Sequence, residues 1–298
     1  MNRVIFFLLC IIPTVATAQL PTDSLMPAQQ EINVAPAIIF EKPKPFSFIT
    51  NIPSDAAGYV KQSVAHKNLF KIGIVAGSTL LLYLFDQQIT DGFQRLCQQV
   101  SIPGEQRYKA LITIKLGGKE TTIGKIPRNV NTAFYNIGQG STSMLLAAGF
   151  FIGGKIKKDN RALQTASQLT QAFITLGAGT QLMKYATGRE TPSSASRARG
   201  AWRPFPSIED FQSDKSRYDA YPSGHLATFV SMVTIIGENY PEKKWIKPVG
   251  YGLSALCSLA MINNGVHWVS DYPLGFALGY GTGKFISKKH KKLNKPSL

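Results

Sequence analysis

Six apolar stretches of helical length, parted by polar loops, constrain this 298-residue chain more than any other feature. They fall at about 67–85, 141–156, 163–186, 224–239, 246–263 and 271–288, and no Rossmann, Walker or repeat pattern interrupts them. The expectation is an all-α fold, a six-helix bundle. Residues 87–140 read as polar and mixed, with one small hairpin from Leu111–Lys115, a Gly117-Gly118 turn and Glu120–Ile123. Residues 190–221 form a long loop rich in Ser, Pro and Arg. Such length inside a compact domain marks a functional or a disordered segment.

The ends read differently from the middle. Arg3, the apolar run Val4–Val15 and Ala16-Thr17-Ala18 have the build of a cleaved secretory signal, so residues 1–18 are expected to be a signal peptide. Residues 19–66 form a proline-containing lead-in with a short helix at 56–66. The helical domain covers 67–288, and a basic tail follows at 289–298. Cys97 and Cys257 remain in the mature chain, as one disulfide or as two core thiols.

Lysine and arginine number 33 against 17 acidic residues, a net charge of +16. Such a balance favours anionic partners. Export and the lack of any zinc-finger or aromatic-basic motif argue against nucleic acid. Phosphorylated substrates and an anionic membrane surface are the expected partners.

Whether the helices span a bilayer has two opposed answers in the sequence. The apolar run Ile72–Phe85 has 14 residues, about 21 Å of helix against roughly 30 Å of hydrocarbon. Mean hydropathy is −0.03, low for a six-span protein. Yet the basic clusters at 155–158, 243–247 and 288–292 would share one side of a spanning bundle, the positive-inside pattern. A cleaved signal would put residue 19 outside, and a crossing first helix would then put the functional end inside. Two arrangements remain: an exported, membrane-associated domain at the periplasmic face, and an integral inner-membrane bundle.

Three short stretches carry chemistry. Pro222-Ser223-Gly224-His225 opens the apolar run Leu226–Ile236. There Ser223 suits a helix cap, and the free N–H groups of the first turn suit an anion. His267 and Asp271 are four apart, so a helix beginning there puts them on one face. A carboxylate on one ring nitrogen fixes the tautomer and leaves the other nitrogen nucleophilic. Lys184 closes the third helix and Arg189 follows it, cations that fit the charge of a transferring phosphoryl group. Taken singly, each stretch also fits a plain helix cap or a basic helix end. With four histidines, one of them in the tail, no cluster has metal-ligand spacing.

The order of the three resembles the type 2 phosphatidic acid phosphatase and vanadium haloperoxidase superfamily. Its signature is Lys, six residues, Arg-Pro; then Pro-Ser-Gly-His; then Ser-Arg, five residues, His, three residues, Asp. This chain reads Lys184 through Thr191-Pro192, then Pro222–His225, then Ala260-Met261 through His267 and Asp271. The resemblance spans roughly 70–285. It implies an all-α bundle with its site at one end and no metal or other cofactor, vanadate acting as a phosphate mimic. In that scheme His267 attacks phosphorus, Asp271 orients it, and His225 protonates the leaving alcohol. Lys184, Ser223 and the Gly224 amide hold the phosphate, and Arg189 is the candidate phosphate ligand to replace the family's first-motif arginine.

Both arginines of the family signature are missing: Thr191 and Met261 take their places, and Ala260 replaces the serine. Arg189, Arg197, Arg199, Arg203, Asn263 and Asn264 are the candidate substitutes. The implied activity is that of a lipid phosphate or acid phosphatase, acting on a lipid or isoprenoid phosphate. The alternative is a weak or silent homologue that binds anions or lipid. Vanadate-dependent halide oxidation, a third activity of the family, leans on the same missing arginines.

Overall fold

A computed structural model describes residues 38–116, 118–289 and 291–293. The expected signal peptide, the first half of the lead-in and the end of the tail lie outside these residues. The described chain is a helical bundle. Its elements begin with a strand β1 (Ile38–Phe40), a short helix α1 (Ser47–Thr50) and α2 (Ile52–Ser63), followed by the long α3 (Leu69–Gln99). The hairpin β2 (Tyr108–Leu116) and β3 (Lys119–Pro127) comes next. Then follow α4 (Val130–Ile137), α5 (Gly140–Lys157), α6 (Asn160–Thr187), α7 (Ile208–Ser213), α8 (Gly224–Asn239), α9 (Ile246–Asn263) and α10 (Tyr272–Lys289). A last strand, β4 (Lys291–Leu293), pairs antiparallel with β1.

The six long helices are those the apolar runs predict, with one large difference. The first does not stop at Phe85 but continues through Asp86 for a further three turns and more, to Gln99. A carboxylate at the end of an apolar run signals a helix end in sequence. Here it is neutralised by contacts far along the chain, so nothing halts the helix. Helices α1, α4 and α7 were not expected. In α4 the Asn129 side chain accepts from Thr132 N at 2.7 Å as N-cap, and α2 begins four residues earlier than the 56–66 expectation. The hairpin is as expected in place and longer in both strands, with Gly118 at φ 82° in its turn.

Helix α8 is the axis of the bundle. Leu226, Ala227, Phe229, Val230, Val233 and Ile235 along it are buried, and it packs against α6, α9 and α10. Its closest neighbour is α10, where Gly275, Gly279 and Gly283 repeat every four residues on one face. A Cβ at Gly275 would stand 2.7 Å from Ser223 O, and one at Gly283 would stand 2.9 Å from Ser231 O. Backbone therefore lies on backbone along that seam. One core cluster joins Ala147, Leu169, Phe229, Val233 and Ile286, and a second joins Tyr135, Leu226, Val230, Cys257 and Met261.

The outside of α3 is apolar. Leu69, Phe70, Ile72, Ile74, Leu80, Leu81, Leu84 and Phe85 are all exposed, whereas Asp86, Thr90 and Cys97 turn inward. His66–Gln99 is the one stretch among the described residues that is long and apolar enough to cross a membrane. Residues 38–66 pack on the domain: Tyr59 meets Phe285 edge-on, and Asp55 accepts from Gln171 Nε2 at 2.7 Å and pairs with Lys289. Cys97 and Cys257 are both buried free thiols, so of the two readings the structure has core residues.

Candidate active site

The three motif stretches meet at one end of the bundle. Ser223 caps α8, its Oγ accepting from Leu226 N at 3.3 Å, and its own N–H donates to Asp271 O at 3.1 Å. The start of α8 is thus tied directly to the His267–Asp271 stretch. The N–H groups of Gly224 and His225 are among the first-turn donors that no carbonyl of the helix can reach. A Cβ at Gly224 would lie 3.1 Å from Thr180 Oγ1 and 3.9 Å from Lys184 Nζ. The missing side chain keeps open the space between helix start and ammonium.

Lys184 is buried in the last turn of α6, whose end is set by Gly188 in the left-handed region at φ 54°. Its Nζ is 3.5 Å from Asp219 Oδ2, a carboxylate that remains partly exposed. Lys184 also acts electrostatically on His225. Burial, then the neighbouring His267 and Lys184, push the His225 imidazole down to about 3. His225 Nε2 is 3.3 Å from the Tyr135 hydroxyl. The rings of His225 and His267 face each other with centroids 5.8 Å apart, 71° from parallel.

The tautomer of His267 follows from its partner. Its Nδ1 is 2.7 Å from the carbonyl oxygen of Ala220, which can only accept, so Nδ1 carries the proton. The remaining nitrogen, Nε2, is buried and has no hydrogen-bond partner among the described residues. A lone pair on a ring held by its far side is the arrangement a nitrogen nucleophile needs. Asp271, the expected orienting acid, is 3.5 Å from Nδ1 through Oδ2 and is engaged elsewhere as well. Its Oδ2 accepts from Trp268 N at 2.7 Å, and its Oδ1 accepts from Arg189 at 2.6 Å.

Arg189 is where the structure departs from the sequence expectation. Its guanidinium, wholly buried, does not face the two rings as a phosphate ligand would. One terminal nitrogen donates to Asp271 Oδ1 and to Ser270 Oγ, and the other to Asp86 Oδ2 at 2.6 Å and to Arg199 O. The reason is Asp86: the extension of α3 brings a second buried carboxylate to this end of the bundle, and one guanidinium bridges both. Tyr83, Trp202 and Trp268 surround the cation with ring centroids at 5.2, 4.9 and 5.5 Å.

The other expected substitutes are likewise committed. Arg203 pairs with the buried Glu190, and Arg199 lies over Tyr83 at 5.2 Å. Burial alone would raise Glu190, but the N–H groups of Ala201 and Ser196, with Arg203, outweigh it and hold the carboxyl at about 2. Arg197 is exposed. Asn263 and Asn264 both hydrogen-bond Asn131, forming an amide cluster with no tie to the rings. Met261 is buried in the apolar cluster around Val230, its sulfur 4.0 Å from Ser223 Oγ. Thr191 bonds Ser193 Oγ at 3.1 Å. Lys184 is therefore the cation placed beside the ring pair.

Sequence reasoning missed Ala220, Tyr135 and Asp86. A backbone carbonyl has no sequence signal, and Tyr135 and Asp86 stand far from the motifs in the chain. Among the described residues no three His, Cys, Asp or Glu side chains come together to hold a metal ion.

Comparison with known proteins agrees with the motif order. Residues 165–295 match the family model of the PAP2 superfamily. No curated protein matches the chain. Among solved structures, a transmembrane PAP2 type phosphatidylglycerolphosphate phosphatase from Bacillus subtilis is similar over 81% of this chain and 96% of its own. The identity is 14% and the TM-score 0.38.

Proposed function

We propose that this chain, whose residues 165–295 match the family model of the PAP2 superfamily, is a phosphatase acting on a lipid or isoprenoid phosphate monoester or pyrophosphate. The observation that carries the reading is the fixed tautomer of His267, whose free Nε2 lies on a ring 5.8 Å from that of His225. In the first step Nε2 gives its lone pair to phosphorus. The P–O bond to the alcohol breaks, and the leaving oxygen keeps that electron pair and takes, by way of His225, the proton that the substrate monoanion brings. In the second step His225 takes a proton from water as the hydroxide oxygen bonds phosphorus. The P–N bond then breaks and its pair returns to Nε2. Lys184 and the first N–H groups of α8 hold the equatorial oxygens. No step needs a metal or other cofactor.

The exposed apolar α3, the basic composition and the signal-like start support a place for the protein on or in the inner membrane, its site at the periplasmic face. An apolar substrate is the natural one for such a surface.

The test is phosphate release by the purified protein from phosphatidate, phosphatidylglycerol phosphate and isoprenyl pyrophosphate, beside its His267→Ala variant. Vanadate-sensitive release that His267→Ala abolishes is the expected result; no release from any of them would overturn the reading. A second reading is favoured by one observation, the burial of Met261 in an apolar cluster where the family places an arginine. In it the protein binds anionic lipid without turnover, and binding survives His267→Ala.

A further inference from the structure

We infer that Asp86 is a positioning residue of this site, acting through Arg189 on Asp271 and so on His267. The inference rests on the reading of His267 as the nucleophile. Asp86 lies on α3, outside the 165–295 segment that matches the family model. Nothing in the motifs points to it.

Its carboxylate has no exposure and every contact it makes belongs to the site. Oδ1 accepts from Ser270 N at 3.0 Å, and Oδ2 from Ser270 Oγ at 2.5 Å and Arg189 at 2.6 Å. Ser270 is the residue before Asp271, so Asp86 holds both the backbone and the side chain next to the orienting acid. The guanidinium is a planar fork, and its two terminal nitrogens take the two carboxylates separately. Asp271 cannot rotate about its side chain without breaking a bond that Asp86 fixes from the other side. A buried guanidinium held by a single carboxylate would be free to swing with it.

The charge count adds a second effect. Two carboxylates against one guanidinium leave a net negative charge when all are ionised, and its near edge is 3.5 Å from His267 Nδ1. That charge stabilises the imidazole as it becomes cationic on bonding phosphorus. Facing the ring from α8 is His225, and Lys184 of α6, paired with Asp219, acts on His225 in turn. Tyr272 from α10 stands with its ring centroid 6.3 Å away, and its hydroxyl donates to Ser258 O. On that other side Lys184, shared with Asp219, is the cation, so the negative field on His267 comes from the Asp86–Arg189–Asp271 group.

The experiment uses the full chain in detergent micelles, with isotopically labelled histidine. Four histidines give few signals, and His267→Gln assigns one. Asp86→Asn keeps the shape and removes the charge. Compared with the wild type, it should move the titration of the assigned His267 signal to lower pH. It should also lower kcat about tenfold with KM within about twofold, the mark of an interaction made in the transition state. An unmoved midpoint together with wild-type kcat would overturn the inference and leave Asp86 as a helix-packing contact.

Should Asp86→Asn fail to fold, Arg189→Lys carries the same test, because a point charge cannot fork between two carboxylates. There wild-type kcat overturns the inference and a fall in kcat supports it. The titration reads His267 without turnover. A shifted midpoint in a protein that releases no phosphate would sink the phosphatase reading while keeping the positioning role.

Discussion

Replacing Lys184 by methionine tests the site where it is thinnest. The family signature supplies two arginines that this chain lacks, and Arg189, Arg199 and Arg203 are bound to other partners. The ammonium of Lys184 stands 3.9 Å from the space over Gly224, beside the first turn of α8. Removing one preorganised donor to a developing negative charge typically costs about 10²–10³ in rate, or about 2.7–4 kcal/mol. With Arg189, Arg199 and Arg203 committed to those partners, Lys184→Met should fall in that range and not below it. Stability should hardly change, since Asp219 is partly exposed and can hydrate once the ammonium is gone. Methionine keeps most of the buried stem. The assay is kcat/KM for phosphate release, beside a thermal melt of the same preparation. A loss of less than about threefold with an unchanged melt would mean that the phosphoryl oxygens are not held at the head of α8.

Further outcomes follow from other parts of the molecule. His225 is pushed down to about 3, so in the free protein it is neutral at ordinary pH and the first proton must arrive with the substrate monoanion. Since a phosphate monoester loses that proton near pH 6, kcat/KM should fall as pH rises above about 6. A profile flat from about pH 5 to 8 would remove the two-histidine assignment. Glu190 is held at about 2 when folded, against 4.5 for the free carboxyl. Its contribution, on the order of 3 kcal/mol, is present in full above about pH 4.5 and lost as pH falls through about 2. Thermal melts from pH 5 to 2 should show that loss, and Glu190→Gln should flatten it. Gly279→Val would drive a side chain into the Ala227 carbonyl on α8 and should cost about 1–3 kcal/mol or more. Gly77→Ala on α3, with nothing within 4 Å, should instead be neutral or stabilising in the same melt.

What the sequence made legible divides along a physical line. Apolar runs of helical length report helices that keep a face from water, in the core or, as on α3, on the outside of the bundle, so all six long helices stood in the pattern. Short motifs report local chemistry, so Ser223 as a cap was readable; His267 does lie beside Asp271, but through a tight turn at Val269–Asp271 before α10 and not on the helix face that the spacing suggests. Neither signal carries contacts between residues far apart in the chain. Asp86 looked like a helix stop because the arginine that neutralises it is about a hundred residues away. Arg189 looked like a phosphate ligand because its spacing from Lys184 and Thr191 says nothing of the two carboxylates that meet it. The Ala220 carbonyl that fixes the His267 tautomer has no side chain to announce it.

These three misses belong to one cause. A buried guanidinium must be matched by buried carboxylates, and a buried imidazole N–H by an acceptor. In this chain those matches come from Asp86 on α3 and from the Ala220 carbonyl before Pro222, both outside the three short motif stretches. The orientation of His267, the proposed nucleophile, is therefore a property of the whole bundle, and Asp86 and Ala220, which share in setting it, lie outside the motifs. A variant that kept every motif residue and altered only Asp86 or the backbone at Ala220 should lose orientation first and folding later. Separate losses of kcat and of the melting midpoint in Asp86→Asn would show that order; a melt that collapses at the same temperature at which activity is lost would refute it.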